Sequence, residues 1–207
     1  MKIIKNIIFD YGNVIFSIDF QRASQAFKNI GLEHIDDLFG HRAQANFFDD
    51  FEKGKITAEL FVSEVKKFVP NASNQEIIDA WNALLIGIDE GNLELLLKAK
   101  AKYRTFLLSN NNEIHYNWII EYLKHKWNIA DMSGYFEKDY YSHLMGLRKP
   151  NADIFEEVLK IHNLNPEETL FIDDSPQHIA TAAKLGLHTR LVAPGETLKE
   201  VLKEYLS

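Results

Sequence analysis

The chain has 207 residues, of which 46% are hydrophobic and 26% charged, and its formal net charge is −7. This composition is typical of an ordinary globular domain, or of a domain with a large insert. The negative charge disfavours nucleic-acid and anionic-membrane partners, and the lack of cysteine excludes disulfides, thiolate metal sites and cysteine nucleophiles. No apolar run is long enough to span a membrane, and Ile3-Ile4 is too short for a signal-peptide core, so we expect a cytoplasmic protein.

The first ten residues contain a short apolar run that stops at a carboxylate. Ile7-Ile8-Phe9 precedes Asp10, and Tyr11-Gly12-Asn13 follows as a turn. A buried parallel strand has this pattern, with a polar residue at its carboxyl end and a glycine turn after it. Ligands of open α/β sheets bind at the carboxyl ends of the strands, so Asp10 is a candidate functional residue.

The stretch from residue 20 to about residue 88 shows no convincing strand pattern and is predicted to be helical. Apolar periodicity, interrupted by glycine and proline stops, divides it into five helices. The predicted helices are Phe20–Ile30, Ile35–Phe39, Arg42–Glu52, Thr57–Val69 and Asn74–Ile86. In the fourth helix, four apolar side chains at helical spacing are expected to form a bundle core. They are Phe61, Val62, Val65 and Phe68.

Predicted strands and helices alternate beyond residue 88, which indicates a parallel, doubly wound α/β sheet. The strands are Thr105–Asn110, Lys138–Ser142, Thr169–Ile172 and His188–Val192. The helices are Asn92–Lys102 (Leu93, Leu96 and Leu97 inward), Glu113–Lys126, Ala152–His162, Ser175–Leu185 and Leu198–Leu206. We therefore predict a Rossmann-like core formed by residues 1–16 and 89–207, with residues 17–88 inserted after the first strand as a helical unit.

Carboxylates also end a later predicted strand, where Asp173-Asp174 follows Leu170-Phe171-Ile172. If this strand lies beside the first one, these carboxylates converge with Asp10. A site of oxygen ligands alone, without a thiol or an obvious histidine pair, suits a hard cation such as Mg²⁺. The bland alternative is that each aspartate only caps the turn or helix that follows it.

Two further polar clusters fit the same strand-end position and can bind an anion. Ser109-Asn110 is expected to open a helix, where a hydroxyl and free main-chain N–H groups form an anion site. Lys149, in Gly146-Leu147-Arg148-Lys149-Pro150, is a point charge that can hold a phosphate. A carboxylate, a divalent ion and an anion cradle are the equipment for phosphoryl transfer through an aspartyl-phosphate. Taken singly, these residues are more typical of caps, turns and surface positions, and only their combination at four strand ends favours a site.

Together the four clusters resemble the ordered motifs of the haloacid dehalogenase-like hydrolases. The segments that carry the resemblance are Ile8-Phe9-Asp10-Tyr11-Gly12-Asn13-Val14, Leu108-Ser109-Asn110, Arg148-Lys149-Pro150 and Phe171-Ile172-Asp173-Asp174-Ser175. The resemblance covers essentially the whole chain, and residues 17–88 are similar to the family's helical cap. Within that cap, Phe51-Glu52-Lys53-Gly54-Lys55-Ile56-Thr57 resembles the subgroup of sugar-phosphate phosphatases and the phosphatase domain of soluble epoxide hydrolase.

The resemblance implies a role for each matching residue. It makes Asp10 the nucleophile and a Mg²⁺ ligand, and Gly12 a metal ligand through its main-chain carbonyl. It makes Asp174 a further Mg²⁺ ligand, with Asp173 directly beside it at the metal site. The remaining residues would contact the phosphoryl group, with Lys149 also steadying the nucleophile. These residues are Ser109, Asn110 and Lys149.

Two positions depart from the pattern of the family. Most phosphatases of the family have an acid/base aspartate two residues after the nucleophile, where this chain has Gly12. The carbonyl ligand survives this change but the proton donor does not, and Asp19 is one candidate replacement. His178 stands where Asp or Asn is common, four residues after Asp174. Asp49 and Asp50 could face the active site from the helical insert, but they are more typical of a solvated helix end.

The leading hypothesis is a Mg²⁺-dependent phosphomonoesterase that acts on a small phosphorylated metabolite, such as a sugar phosphate. A 2-haloacid dehalogenase would use the same Asp10 on carbon, but it would not need the Asp173-Asp174 pair. A non-catalytic protein that keeps the phosphate pocket is the third alternative, and Gly12 is the only feature that favours it. The substrate and the oligomeric state do not follow from the sequence.

Overall fold

A five-stranded parallel sheet forms the centre of the molecule, which is described here from a computed structural model covering residues 3–33 and 47–207. The strands are β1 Asn6–Phe9, β4 Arg104–Ser109, β5 Lys138–Tyr141, β6 Thr169–Asp173 and β7 His188–Leu191. Their order in the sheet is β5-β4-β1-β6-β7, so the predicted α/β class is confirmed. All four residues of β1 are buried, because this strand has neighbours on both sides and helices on both faces.

The helices of the described residues follow the predicted order closely. They are α1 Phe20–Asn29, α2 Asp49–Glu52, α3 Ala58–Lys66, α4 Asn74–Asn82, α5 Asn92–Lys102, α6 Glu113–Trp127, α7 Ser142–Met145, α8 Ala152–Ile161, α9 Pro176–Lys184 and α10 Leu198–Leu206. Two short 3₁₀ turns lie at Ser133–Tyr135 and Pro166–Glu168. The predicted helix Ile35–Phe39 and the first part of Arg42–Glu52 lie outside the described residues. No helix in the described ranges is both long and apolar enough to cross a membrane.

The register of the sheet brings the ends of three strands together. Phe9, the last residue of β1, pairs with Leu107 on one side and with Ile172 on the other. The main-chain N–H of Asp10 continues this ladder by donating to the carbonyl of Ile172, at 2.8 Å. The first strand and the Asp173 strand are therefore neighbours, which is the condition for their carboxylates to converge.

Apolar side chains fill both faces of the sheet with the period of two that a strand imposes. Ile7 and Phe9 point into one cluster, with α5, α6 and α10 around it, and Ile8 points into the other, with α8 and α9. A third apolar cluster is formed by the helical stretch from α1 to α4, including Phe61 and Trp81, together with Ile114 of α6. The helical stretch thus supplies nearly all of a separate apolar cluster.

Two expectations about buried side chains are wrong. Phe68 is 54% exposed, because α3 ends at Lys66 and the helical period does not reach it. Leu97 of α5 is 49% exposed, whereas Leu96 is fully buried. The other apolar residues of the α3 stripe, Phe61, Val62 and Val65, are buried as predicted.

A two-stranded antiparallel ribbon that was not predicted from the sequence joins the two ends of the helical stretch. It pairs β2 Phe16–Ile18 with β3 Leu85–Ile88, so α4 ends at Asn82 and not at Ile86. The misleading signal was Gly87, which reads as a helix stop but lies inside β3 with φ of 146°. A Cβ at Gly87 would stand 2.5 Å from the hydroxyl of Tyr122, which accepts a hydrogen bond from Ile88 N–H at 2.9 Å. Glycine is needed here for this close approach.

The helical stretch is attached to α6 by a fully buried polar network, which we call the buried junction (Trp81, Asn112 and His115). The Trp81 indole N–H donates to Asn112 Oδ1 at 3.2 Å, and His115 Nε2 lies 3.0 Å from the main-chain oxygen of Trp81. Because a carbonyl can only accept, His115 carries its proton on Nε2, and Nδ1 accepts from Asn112 Nδ2 at 3.0 Å. The network is satisfied only when His115 is neutral.

Candidate active site

The centre of the site is an ion triad at the carboxyl ends of β1 and β6. The Lys149 ammonium group donates to Asp10 Oδ1 at 2.7 Å and to Asp173 Oδ2 at 2.8 Å. Lys149 is completely buried, and its Nζ lies 5.4 Å from the centre of the Phe171 ring. Burial opposes its charge, but the two carboxylates outweigh burial and raise the pKa of Lys149. The ammonium therefore stays charged.

The sequence pattern predicts Lys149 at the end of a strand, but Lys149 reaches this position from a loop. Residues 146–150 form a loop between α7 and α8. The amide of Asn110 fixes that loop, because its Oδ1 accepts from the Lys149 N–H at 2.9 Å and its Nδ2 donates to the Lys149 carbonyl at 2.8 Å. Asn110 thus acts on the main chain of Lys149 with its whole side chain.

The helix after Ser109-Asn110 begins later than predicted. Asn112 is the N-cap of α6, which starts at Glu113, so Ser109 and Asn110 belong to the end of β4 and the turn after it. Ser109 is buried, and its hydroxyl donates to the Asn110 carbonyl at a long 3.3 Å. The Ser109 hydroxyl is therefore weakly engaged at the centre of the sheet edge.

The carboxylate of Asp173 is saturated by protein donors. Its oxygens accept from Lys149, from the main-chain N–H of Ser175 at 2.7 Å and from His178 Nδ1 at 2.9 and 3.0 Å. Burial works to raise the pKa of Asp173, but the charges and hydrogen bonds of Lys149 and His178 outweigh it and lower the pKa. His178, which departs from the family pattern, therefore contacts Asp173.

Asp174 is held by a residue that the sequence analysis did not single out. Asn13 Nδ2 donates to Asp174 Oδ2 at 3.0 Å, and Asn13 Oδ1 accepts from the Ile18 N–H at 3.3 Å. Asn13 has φ of 54°, a left-handed conformation that asparagine tolerates better than most residues. An asparagine directly after a glycine was the available signal for such a turn.

The donors at this edge suit a hard divalent cation. Burial, and then the charge of Asp173, raise the pKa of Asp10 to about 7 despite the neighbouring lysine. One ammonium thus faces the carboxylates of Asp10 and Asp173, with Asp174 next in the chain, and the local charge is negative. Carboxylate and carbonyl oxygens are the ligands that Mg²⁺ prefers. Among the described residues, Asp10, Asp173 and His178 form the single cluster of side chains with metal-ligand spacing. The Lys149 ammonium already bridges Asp10 and Asp173 in this cluster.

Asp19, the candidate replacement for the missing acid, is already engaged elsewhere, and so is Asp49. Asp19 caps α1, accepting from the Gln21 N–H at 2.9 Å. Asp49 forms ion pairs with Lys53 and Arg148, both at 2.7 Å, and is therefore not the solvated helix end that we expected. Gly12 has no left-handed φ, so an aspartate there would not strain the main chain.

Comparison with known proteins gives the family. A family model described as haloacid dehalogenase-like hydrolase matches residues 4–186. D-ribitol-5-phosphate phosphatase from Bacteroides thetaiotaomicron is 32% identical over 187 residues, which is 90% of each chain. The crystal structure of a HAD family enzyme from the same organism has a TM-score of 0.88 and 35% identity, covering 97% of this chain and 99% of the other.

Several similar structures contain ligands. One of them is a complex of the wild-type HAD family enzyme from Bacteroides thetaiotaomicron with magnesium and inorganic phosphate. Its TM-score is 0.84 and its identity 36%, and the match covers 93% of this chain and 96% of the other. Since the family match and these likenesses extend over nearly the whole chain, the protein belongs to the haloacid dehalogenase-like hydrolases.

Proposed function

We propose that this hydrolase is a Mg²⁺-dependent phosphomonoesterase of the cytoplasm that acts on a small phosphorylated sugar or polyol. The observation that carries the proposal is the Asp10 carboxylate at the end of β1, held by the buried Lys149 in a site with excess negative charge. A relative of nearly equal length is a D-ribitol-5-phosphate phosphatase, which supports this class of substrate. A 2-haloacid dehalogenase would have no use for the excess of carboxylates.

Asp10 is the nucleophile in this mechanism. Its carboxylate attacks phosphorus, the bond from phosphorus to the ester oxygen breaks, and water then hydrolyses the aspartyl-phosphate. The Lys149 ammonium keeps Asp10 in place and offsets charge on the transferring phosphoryl group. The Ser109 hydroxyl donates a hydrogen bond to that group. Asn110 donates through its main-chain N–H, since its side chain is already bound to the main chain of Lys149.

The metal ligands in this proposal are the carboxylates of Asp10 and Asp174 and the main-chain carbonyl of Gly12. Asp173 lies behind them and positions Lys149, since its own oxygens are occupied. When bound, Mg²⁺ supplies the positive charge that this site lacks and polarises a phosphoryl oxygen. Asn13 orients Asp174 for this role through its 3.0 Å hydrogen bond.

Residues 17–88 serve as the cap of this enzyme, and residues 1–16 and 89–207 as its catalytic core. Two observations support this division. The helical stretch supplies nearly all of a separate apolar cluster, and the chain leaves and re-enters the sheet layer through the ribbon of β2 and β3. A cap over the strand ends would exclude water from the phosphoryl group.

Removal of the nucleophile tests the proposal directly. Asp10→Asn keeps the shape of the side chain, so the fold should persist while phosphatase activity falls roughly a thousandfold or more. Activity of the wild type should disappear with a chelator and return with Mg²⁺. Turnover of a panel of sugar and polyol phosphates is the measurement, and circular dichroism checks the fold. An active Asp10→Asn variant would exclude this mechanism.

The absent acid at Gly12 has a measurable consequence. General acid catalysis typically contributes about 10²–10⁴-fold when the leaving group is poor. Gly12→Asp should therefore accelerate alkyl phosphates far more than nitrophenyl phosphate, which needs no proton. The substitution is feasible, because the new Cβ would meet only the flexible end of Ile18, with Cδ1 at 3.1 Å. Equal responses of both substrates would show that another group already supplies the proton.

A further inference from the structure

Arg148 connects the helical stretch to the edge of the active site. Its Nη1 donates to Asp49 Oδ1 at 2.7 Å, and its Nη2 lies 2.8 Å from Glu52 Oε2. Both carboxylates belong to the single turn α2, and the Arg148 side chain is 25% exposed. One planar guanidinium group thus contacts two carboxylates, which a lysine could not do with the same geometry.

Two more contacts lie beside these ion pairs. We call the ion pairs of Arg148 with Asp49 and Glu52, together with these two contacts, the crevice junction. The Ser142 hydroxyl donates to the Glu52 carbonyl at 2.6 Å and accepts from the Asn111 N–H at 2.9 Å. At Gly54, with φ of 64°, a Cβ would stand 2.1 Å from the main-chain oxygen of His143. Side-chain ion pairs, a hydroxyl bridge and a close main-chain contact therefore hold residues 49–54 on the core.

Arg148 is also the residue before Lys149, whose position decides the geometry of the triad. The main chain of Lys149 is fixed from one side by Asn110, and its ammonium lies 2.7 Å from Asp10. Arg148 fixes the same segment from the other side through Asp49 and Glu52. Displacement of α2 therefore pulls on the main chain that carries Lys149.

The acidic side chains of this segment are engaged with cations of the protein. Asp49 also accepts from Lys53 at 2.7 Å, and Asp50 lies 3.3 Å from Lys55. Burial works to raise the pKa of Asp49, but hydrogen bonds from Arg148 and Lys53 keep that pKa below its usual value. Asp49 and Glu52 consequently bind Arg148 and not the substrate, so substitutions there should lower the turnover of every substrate by the same factor.

We propose that Arg148 is a positioning residue that couples docking of residues 49–54 to the placement of Lys149 against Asp10. This inference rests on the phosphatase function proposed above. Docking of α2 and assembly of the phosphoryl site are then one event, because a single guanidinium takes part in both. Arg148 itself touches neither substrate nor metal in this proposal.

Kinetics of matched variants test the coupling. Arg148→Met and the double variant Asp49→Asn/Glu52→Gln should each lower kcat with nitrophenyl phosphate about tenfold, because a small misplacement of a catalytic group is costly. KM should change less than twofold, and sugar phosphates should lose the same factor. Combining all three substitutions should cost no more than either set alone, since both sets break one interaction. Arg148→Lys should retain an intermediate kcat.

Arg104 provides the matched control. It binds Glu137 with two hydrogen bonds, at 2.6 and 2.8 Å, but it opens β4 at the opposite end of the sheet. Arg104→Met should leave kcat unchanged, whatever it does to the melting temperature. A fall in kcat with Arg104→Met that matches the fall with Arg148→Met would mean that loss of stability is the cause, and it would overturn the proposal.

Hydrogen exchange separates this proposal from the phosphatase assignment. The Lys149 N–H is protected by Asn110, and Arg148→Met should speed its exchange about tenfold while Arg104→Met does not. This readout needs no substrate, so it holds even if the wild type hydrolyses no phosphate ester and the assigned function fails. Unchanged exchange at Lys149 in Arg148→Met, or kinetic losses that simply multiply in the combined variant, would overturn the coupling.

Discussion

The two junctions that attach the helical stretch to the core differ in charge and in exposure. The buried junction of Trp81, Asn112 and His115 is neutral, buried and hydrogen-bonded, and the Trp81 and His115 rings stack at 4.8 Å. The crevice junction is charged, its ion-paired side chains are only 25–27% exposed, and it depends on Arg148. One joins the stretch to the first turn of α6, and the other joins it to the loop of Lys149.

This difference indicates which junction holds and which one can release. Breaking the buried junction would leave polar groups without partners away from water, which is costly. Breaking the crevice junction would expose charges to solvent, where hydration replaces most of what is lost. The cap proposed above can therefore pivot on the buried junction while the crevice junction opens and closes beside the proposed phosphoryl site.

The largest expected effect comes from deleting the centre of the buried junction. Asn112→Ala removes the N-cap of α6, the acceptor of the Trp81 N–H and the donor to His115. We expect a loss of about 3 kcal/mol in the free energy of unfolding. Arg148→Met should lose less, about 1–2 kcal/mol, since Asp49 keeps its ion pair with Lys53 and the carboxylates retain some contact with solvent. Urea unfolding of both variants measures the contrast.

Ser73→Ala is the control for the capping part of this effect. Ser73 caps α4 in an exposed capping box, accepting from the Glu76 N–H at 3.2 Å, and it takes part in no buried network. The substitution Ser73→Ala should lower the free energy of unfolding by about 1 kcal/mol. If Asn112→Ala costs no more than Ser73→Ala, the buried junction adds nothing beyond a helix cap and the contrast between the junctions fails.

The sequence predicts the central sheet well because buried parallel strands leave a simple signal. The apolar runs before Asp10 and before Asp173 predict two strands. That the two strands are neighbours was a condition left open by the sequence, and the structure meets it. The carboxylates of Asp10 and Asp173 therefore lie close together. The placement of polar residues at strand ends therefore needs only strand pattern and topology.

The sequence does not predict the parts of the site that arise from loops. Lys149 comes from a loop whose path is set by the Asn110 side chain, and Asn13 reaches Asp174 across 161 residues. Arg148 and Asp49 are 99 residues apart, and nothing local indicates that they pair. Such contacts depend on how two segments are placed in space, which periodicity does not encode.

The smaller expected effect concerns pH and belongs to the buried junction alone. Burial lowers the pKa of His115 to about 4, whereas an unfolded histidine titrates near 6.5. Between these values the unfolded chain takes up a proton that the folded chain excludes, so stability falls as the pH is lowered from 7 towards 4. Between pH 7 and pH 5, protonation of this histidine in the unfolded chain should lower the free energy of unfolding by about 2 kcal/mol. Urea unfolding at both pH values measures it.

The matched variants for this effect are His115→Gln and His125→Gln on the same helix. Other groups titrate in all three proteins, so the quantity to compare is the change in unfolding free energy between pH 7 and pH 5. His115→Gln should lose about 2 kcal/mol of that change, because its side chain accepts no proton in the unfolded state. His125 is 83% exposed on α6, and its substitution should leave the change as it is in the wild type. Equal changes in the wild type and in His115→Gln would mean that the folded protein admits the proton, and the buried junction would then be no more closed to solvent than the crevice junction.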